Sequence, residues 1–176
     1  RELPVPVIGV VEPGARAAVA AGPGPIGVIG TAGTIASGAY AKAIWHIAPD
    51  ASIVSQACPL FVPLAEEGLF DHPATRLIAR EYLAPLLAAH VRTVVLGCTH
   101  YPLIRGLWHE ALGPGVELVQ VEAAVAREAA RRWRAAGLAE RGEALRATSA
   151  THAVADRGAG GAEVRLETTG DPSVLE

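Results

Sequence analysis

The chemistry-bearing side chains come together in one short stretch, Cys98-Thr99-His100. A thiol, a hydroxyl and an imidazole at that spacing suit proton transfer, because a thiolate is a competent base and histidine titrates near neutrality. The run before it, Thr93-Val-Val-Leu96, is β-branched and apolar and predicts a buried strand that Gly97 ends. Pro102 stands at a plausible first helical position. The thiol is therefore expected at the carboxyl end of a strand, facing a helix start. There, free N–H groups and a partial positive charge favour a thiolate and can hold a carboxylate. A metal site would need more ligands, and His46, His72, His90, His109 and His152 fall in other elements.

Other residues offer weaker signals. Gly27-Val-Ile-Gly30-Thr31-Ala-Gly33-Thr34 has the spacing G-x-x-G-x-x-G, which is neither a dinucleotide fingerprint nor a lysine-bearing phosphate loop. It reads either as a small anion pocket built from two hydroxyls or as a tight strand–helix turn capped by Thr31 or Thr34. Cys58, in Gln56-Ala-Cys-Pro-Leu-Phe61, reads as a buried small hydrophobe. Glu66-Glu67 is either a solvated pair or the source of a carboxylate that orients a histidine.

Alternating strands and helices must position these groups. Strands are predicted over Pro4–Glu12, Ile26–Gly30, Ala51–Gln56, Thr93–Leu96 and Val116–Val121, with a further one over Glu163–Thr168. Glu12-Pro13-Gly14 reads as a turn. Helices are predicted over Ala15–Ala21, Ile35–Ile47, His72–Ala89, Pro102–Leu112 and Glu122–Ala136, and Leu60–Gly68 reads as a loop or a single helical turn. Ala139–Gly161, rich in Ala, Arg, Gly and Thr, reads as a linker. The pattern predicts an α/β fold, a mostly parallel sheet flanked by helices.

Bulk properties narrow the function. The chain of 176 residues is 51% hydrophobic and 19% charged, enough to bury a core. A net charge of −3 without a basic stripe argues against nucleic acid. No apolar run is long enough to span a bilayer, and two cysteines without a disulfide framework suit a reducing cytoplasm. The chain has no methionine, which reads as a processed product or a piece of something longer.

The motifs together resemble those of glutamate racemases, in the aspartate/glutamate racemase superfamily. Gly97-Cys-Thr-His-Tyr-Pro-Leu103 is similar to that family's second cysteine motif. Pro6–Gly14, Ile26–Ile35, Ala57–Gly68 and Thr168–Pro172 follow in the family's order. The resemblance implies cofactor-free interconversion of L- and D-glutamate by two opposed cysteines, supplying the D-isomer for peptidoglycan. It makes Cys98 one catalytic base and Thr99 and His100 substrate ligands, with His100 also tuning the thiol. Glu66 becomes the acidic partner of this half, Thr31 and Thr34 line the pocket, and Cys58 matches a position that is not the catalytic partner. Neither metal nor cofactor is implied. Partners reduce to the small-molecule substrate glutamate, with no nucleic acid and no membrane, and a homodimer is one open assembly of a longer enzyme.

This chain departs from the family pattern. The family's Asp-Ser pair, Pro-Tyr-Gly segment and Ala-Cys-Asn-Thr motif with the other cysteine have no counterpart here, and Gln120-Val121 stands where the family has Asp-Ser. Residues 1–11 are then expected to come from an amino-terminal domain. Residues 12–118 would form one complete domain, and residues 119–176 a partial return to the first. With one base of two, the chain is expected to be inactive alone. The rivals are an aspartate or hydantoin racemase relative and a non-catalytic binding domain derived from the superfamily.

Overall fold

A computed structural model describes residues 7–136. The strand expected over Glu163–Thr168 and the linker over Ala139–Gly161 lie outside the described residues. The described residues up to Arg132 form one compact unit.

Its centre is a four-stranded parallel sheet, in the order β2-β1-β3-β4. The strands are β1 (Ile26–Gly30), β2 (Ile53–Ala57), β3 (Thr93–Gly97) and β4 (Glu117–Gln120). β1 and β3 are the central pair, and their buried apolar runs match what a parallel sheet covered on both faces requires. The helices are α1 (Val11–Ala20), α2 (Ala32–Ser37), α3 (Ala39–Ile47), α4 (Phe61–Glu66), α5 (Pro73–Ala88), α6 (Arg105–Leu112) and α7 (Val121–Ala135), with a 3-10 turn at Tyr101–Ile104.

Two cores flank the sheet. On one face Ile29, Val94 and Leu96 meet Leu83 and Leu86 of α5, Phe61 of α4 and Trp108 of α6. On the other, Val28, Val95 and Val119 meet Ala15 and Ala18 of α1, Tyr40 and Ile44 of α3 and Val121 of α7. Neighbouring strand residues thus point to opposite cores, as the two-residue period of a strand demands. Gly27 lets α5 approach: a Cβ there would lie 2.7 Å from Leu86 Cδ2.

Several local expectations are corrected. The strand predicted over Pro4–Glu12 does not extend into the described residues, because Val11 begins α1. Pro13 and Gly14 are not a turn but lie in that helix's first turn, where proline's missing N–H costs nothing. Gly14 also admits Tyr40 and Val121, which would lie 3.0 and 3.2 Å from a Cβ. The single helix expected over Ile35–Ile47 is two, divided at Gly38 with φ of 62°. Of the loop or single helical turn expected over Leu60–Gly68, the helical alternative is the one present, as the six-residue α4. The helix expected from Pro102 begins as the 3-10 turn and becomes α-helical only at Arg105.

Candidate active site

The order β2-β1-β3-β4 places the sheet's topological switch between β1 and β3. Open α/β sheets bind ligands outside the carboxyl ends of their strands at such a point. Thr31 follows β1 and Cys98 follows β3, so the two flank the switch.

Cys98 is half-buried at the end of β3, with Thr99 exposed and His100 half-buried beside it. The Cys98 Sγ lies 3.9 Å from His100 Nδ1. The far ring nitrogen, His100 Nε2, lies 3.4 Å from Glu66 Oε1 at the end of α4. Thiol, imidazole and carboxylate are therefore joined in one line from half-buried to exposed. The His100 side chain is 33% exposed and that of Glu66 62%. The helix start expected next to Cys98 is a single 3-10 turn, which carries little of an α-helix's macrodipole. The polar groups that bear on the thiol are side chains instead.

Thr31 is the amino-terminal cap of α2. Its Oγ1 accepts from Thr34 N at 3.3 Å and shares a 3.0 Å hydrogen bond with Thr34 Oγ1. The capping reading of this segment is thus correct, and it leaves the hydroxyls half-buried. Gly30 and Gly97 pair across β1 and β3. Thr34 Cγ2 would lie 3.1 Å from a Cβ on Gly30 and 3.6 Å from one on Gly97. The glycines therefore bring the threonine pair against the strand end that bears Cys98.

Cys58 occupies the end of β2 and is fully buried, with its Sγ 3.6 Å from the Gln56 carbonyl oxygen. Burial pushes its thiol up to about 12. It cannot serve as an exposed base opposite Cys98. No group of three or more His, Cys, Asp or Glu is placed to hold a metal among the described residues.

A cleft of about 480 Å³ opens beside Cys98, with Val10, Tyr40, Thr99, Val121 and Glu122 also in its wall. Tyr40, Val121 and Glu122 were not singled out from sequence. Gln120 and Arg105 connect to Glu122 from outside the cleft wall: with the Gln120 amide turned to satisfy both neighbours, its oxygen accepts from Arg105 Nη1 at 3.0 Å and its nitrogen donates to Glu122 Oε1 at 3.2 Å. The one signal for this cluster was that Gln120-Val121 departs from the resembled pattern.

A parallel α/β sheet with a thiol, imidazole and carboxylate at its central switch defines a candidate proton-transfer site. A sequence model of the Asp/Glu/Hydantoin racemase family matches residues 1–129, and the chain belongs to that family. It is 56% identical over 124 residues to a glutamate racemase of Syntrophus aciditrophicus, covering 70% of this chain and 46% of that one. Among solved structures it is similar to a glutamate racemase isoform of Bacillus anthracis, at TM-score 0.73 and 38% identity, covering 77% of this chain and 51% of that one. It is also similar to the Francisella tularensis glutamate racemase solved in complex with D-glutamate, at TM-score 0.71 and 31% identity over 77% of this chain and 50% of that one. The chain spans about half the length of the relatives it matches.

Proposed function

We propose that this chain carries one half of a glutamate racemase active site, with Cys98 as one of its two bases. The observation that carries the reading is the line Cys98–His100–Glu66 at the carboxyl end of β3, in a chain similar to glutamate racemases. The Francisella relative's complex with D-glutamate supports glutamate as the substrate.

In the proposed reaction the Cys98 thiolate takes the α-proton from one face of glutamate and becomes a thiol. The resulting carbanion takes a proton on its opposite face from a second acid, which becomes the new base. The reverse direction exchanges the two roles. His100 bridges thiol and carboxylate and can relay charge between them. Thr99 and the paired hydroxyls of Thr31 and Thr34 supply donors to the substrate's carboxylates. A second cysteine base would come from outside these 176 residues, since the chain's other cysteine, Cys58, is buried. Residues 12–118 are then the domain that holds this half-site, and residues 119–176 lead back toward the other. The product would feed peptidoglycan synthesis in the cytoplasm, with no cofactor. Among the described residues no helix is long and apolar enough to cross a membrane.

The test mixes the chain with a separately produced amino-terminal half of a relative. Racemisation followed by circular dichroism of glutamate should appear only in the mixture and vanish with Cys98→Ala. Racemisation by the chain alone that survives Cys98→Ala would overturn the reading.

A further inference from the structure

The proton-transfer set uses Cys98, His100 and Glu66, and beside it Tyr101 is fully buried although it carries a hydroxyl. Its hydroxyl donates to the Cys58 carbonyl at 2.8 Å, a bond that joins residues 43 apart in sequence. The two ends of this bond sit in matching turns. The Cys58 carbonyl also accepts from Phe61 N at 3.3 Å, and the Cys98 carbonyl accepts from Tyr101 N at 3.2 Å. Each strand, β2 and β3, is therefore followed directly by a cysteine whose carbonyl closes the next turn. The phenol of one turn is anchored on the carbonyl of the other.

The turn after β2 opens α4, which carries Glu66. The turn after β3 carries Cys98 and His100. Aromatic packing locks the two together: the Phe61 ring meets Tyr101 at 5.9 Å and Trp108 at 4.6 Å between centroids, both edge to face. The Trp108 indole N–H donates to the Tyr101 carbonyl at 2.7 Å, fixing the tyrosine from behind. Burial pushes the phenol's titration upward, so the hydroxyl stays a donor. The Glu66–His100 contact, with its carboxylate 62% exposed, gains little in water and must order two side chains, so it does not hold itself. Its spacing has to be set from below.

We propose that Tyr101 is a positioning residue, whose hydrogen bond from the Cys98 turn to the Cys58 turn sets the Glu66–His100–Cys98 alignment. This rests on the proton-transfer reading of those three residues.

Iodoacetamide alkylation of Cys98 in the 176-residue chain, followed by mass spectrometry between about pH 6 and 9, tests it without the missing base. His100→Asn and Glu66→Gln should each lower the rate at neutral pH. Tyr101→Phe should lower it by about threefold or more, and the pair Tyr101→Phe with Glu66→Gln should do no worse than the stronger single change. Trp108→Phe, which removes the donor to the Tyr101 carbonyl, should move the profile the same way and serves if Tyr101→Phe does not fold. A wild-type profile in a folded Tyr101→Phe or Trp108→Phe chain, with Glu66→Gln still slow, overturns the positioning role and leaves the proton-transfer reading intact. Additive effects, or Cys58 becoming reactive in both variants, also overturn it by marking a purely structural role. If His100→Asn and Glu66→Gln leave Cys98 unchanged, the set does not act as a unit and the underlying reading fails first.

Discussion

Gly30 and Gly97 stand opposite each other on the central strands, and Thr34 rests on the space both leave empty. A Cβ on Gly97 would lie 2.9 Å from the Ile29 carbonyl oxygen and 3.2 Å from Tyr40 Cε2. The first neighbour is backbone and cannot step aside. Gly97→Ala should therefore destabilise the fold by about 1–3 kcal/mol and displace the Cys98 turn. Urea unfolding measures the first effect and Cys98 alkylation the second. Gly106→Ala is the contrast. Gly106 lies in α6 with nothing within 4 Å of its Cβ position, so that change should stabilise by about 0.5 kcal/mol.

His90 is left-handed, with φ of 51°. It follows α5, and the pattern around it is a Schellman ending: Val91 N donates to the Leu86 carbonyl at 3.2 Å and His90 N to the Leu87 carbonyl at 3.0 Å. Glycine is the usual residue at that position because it has no Cβ to clash. His90→Gly should raise stability by about 0.5–1 kcal/mol, read as a higher urea midpoint with an unchanged slope.

The parts of this fold that were legible from sequence are those with local causes. β1 and β3 are continuous apolar runs ended by glycine, and Cys98 and His100 are neighbours in the chain. α1 was misread because Pro13-Gly14 resembles a turn, although proline is welcome where a helix's first N–H groups lack partners anyway. From its own neighbours Glu66 reads first as one of a solvated pair, with orienting a histidine as the alternative; the resemblance points to the second role, and only the folded chain sets it 3.4 Å from His100. The Tyr101–Cys58 bond had no local signal at all. It depends on β2 and β3 both flanking β1, a matter of topology rather than spacing.

Glu128 of α7 tests how charge supports the helix. Its carboxylate accepts from Arg131 Nε and Nη2 at 2.8 Å each and from Arg132 Nε at 2.6 Å, and Arg132 Nη1 reaches the Val7 carbonyl at 3.4 Å. The hydrogen bonds from Arg131 and Arg132 pull its titration down from 4.5 to about 2. A carboxylate whose folded value is depressed adds stability above its unfolded value and loses it as pH falls through the folded one. The melting temperature of wild type should therefore exceed that of Glu128→Gln at pH 6. The gap should close between about pH 4.5 and 2, and shrink in about 1 M salt.

Cys58 reports the opposite sign. Burial raises its thiol from 9.0 to about 12 in the folded chain. A raised acid is held neutral by the fold, so its contribution is whole below the unfolded value and is lost as pH climbs from about 9 toward 12. Across that window the unfolded chain binds one proton fewer at this site, a slope approaching 1.4 kcal/mol per pH unit. Cys58→Ala removes the group. It should cost stability at pH 7, where it leaves a small cavity in the core shared with Phe61 and Tyr101, and that cost should narrow as pH rises above about 9. Urea melts of both chains at stepped pH measure the convergence, and parallel curves would show that the buried thiol does not titrate as its surroundings require. The same burial predicts selective chemistry. In the native chain at pH 8, alkylation should stop at Cys98, and Cys58 should react only after urea unfolds the domain.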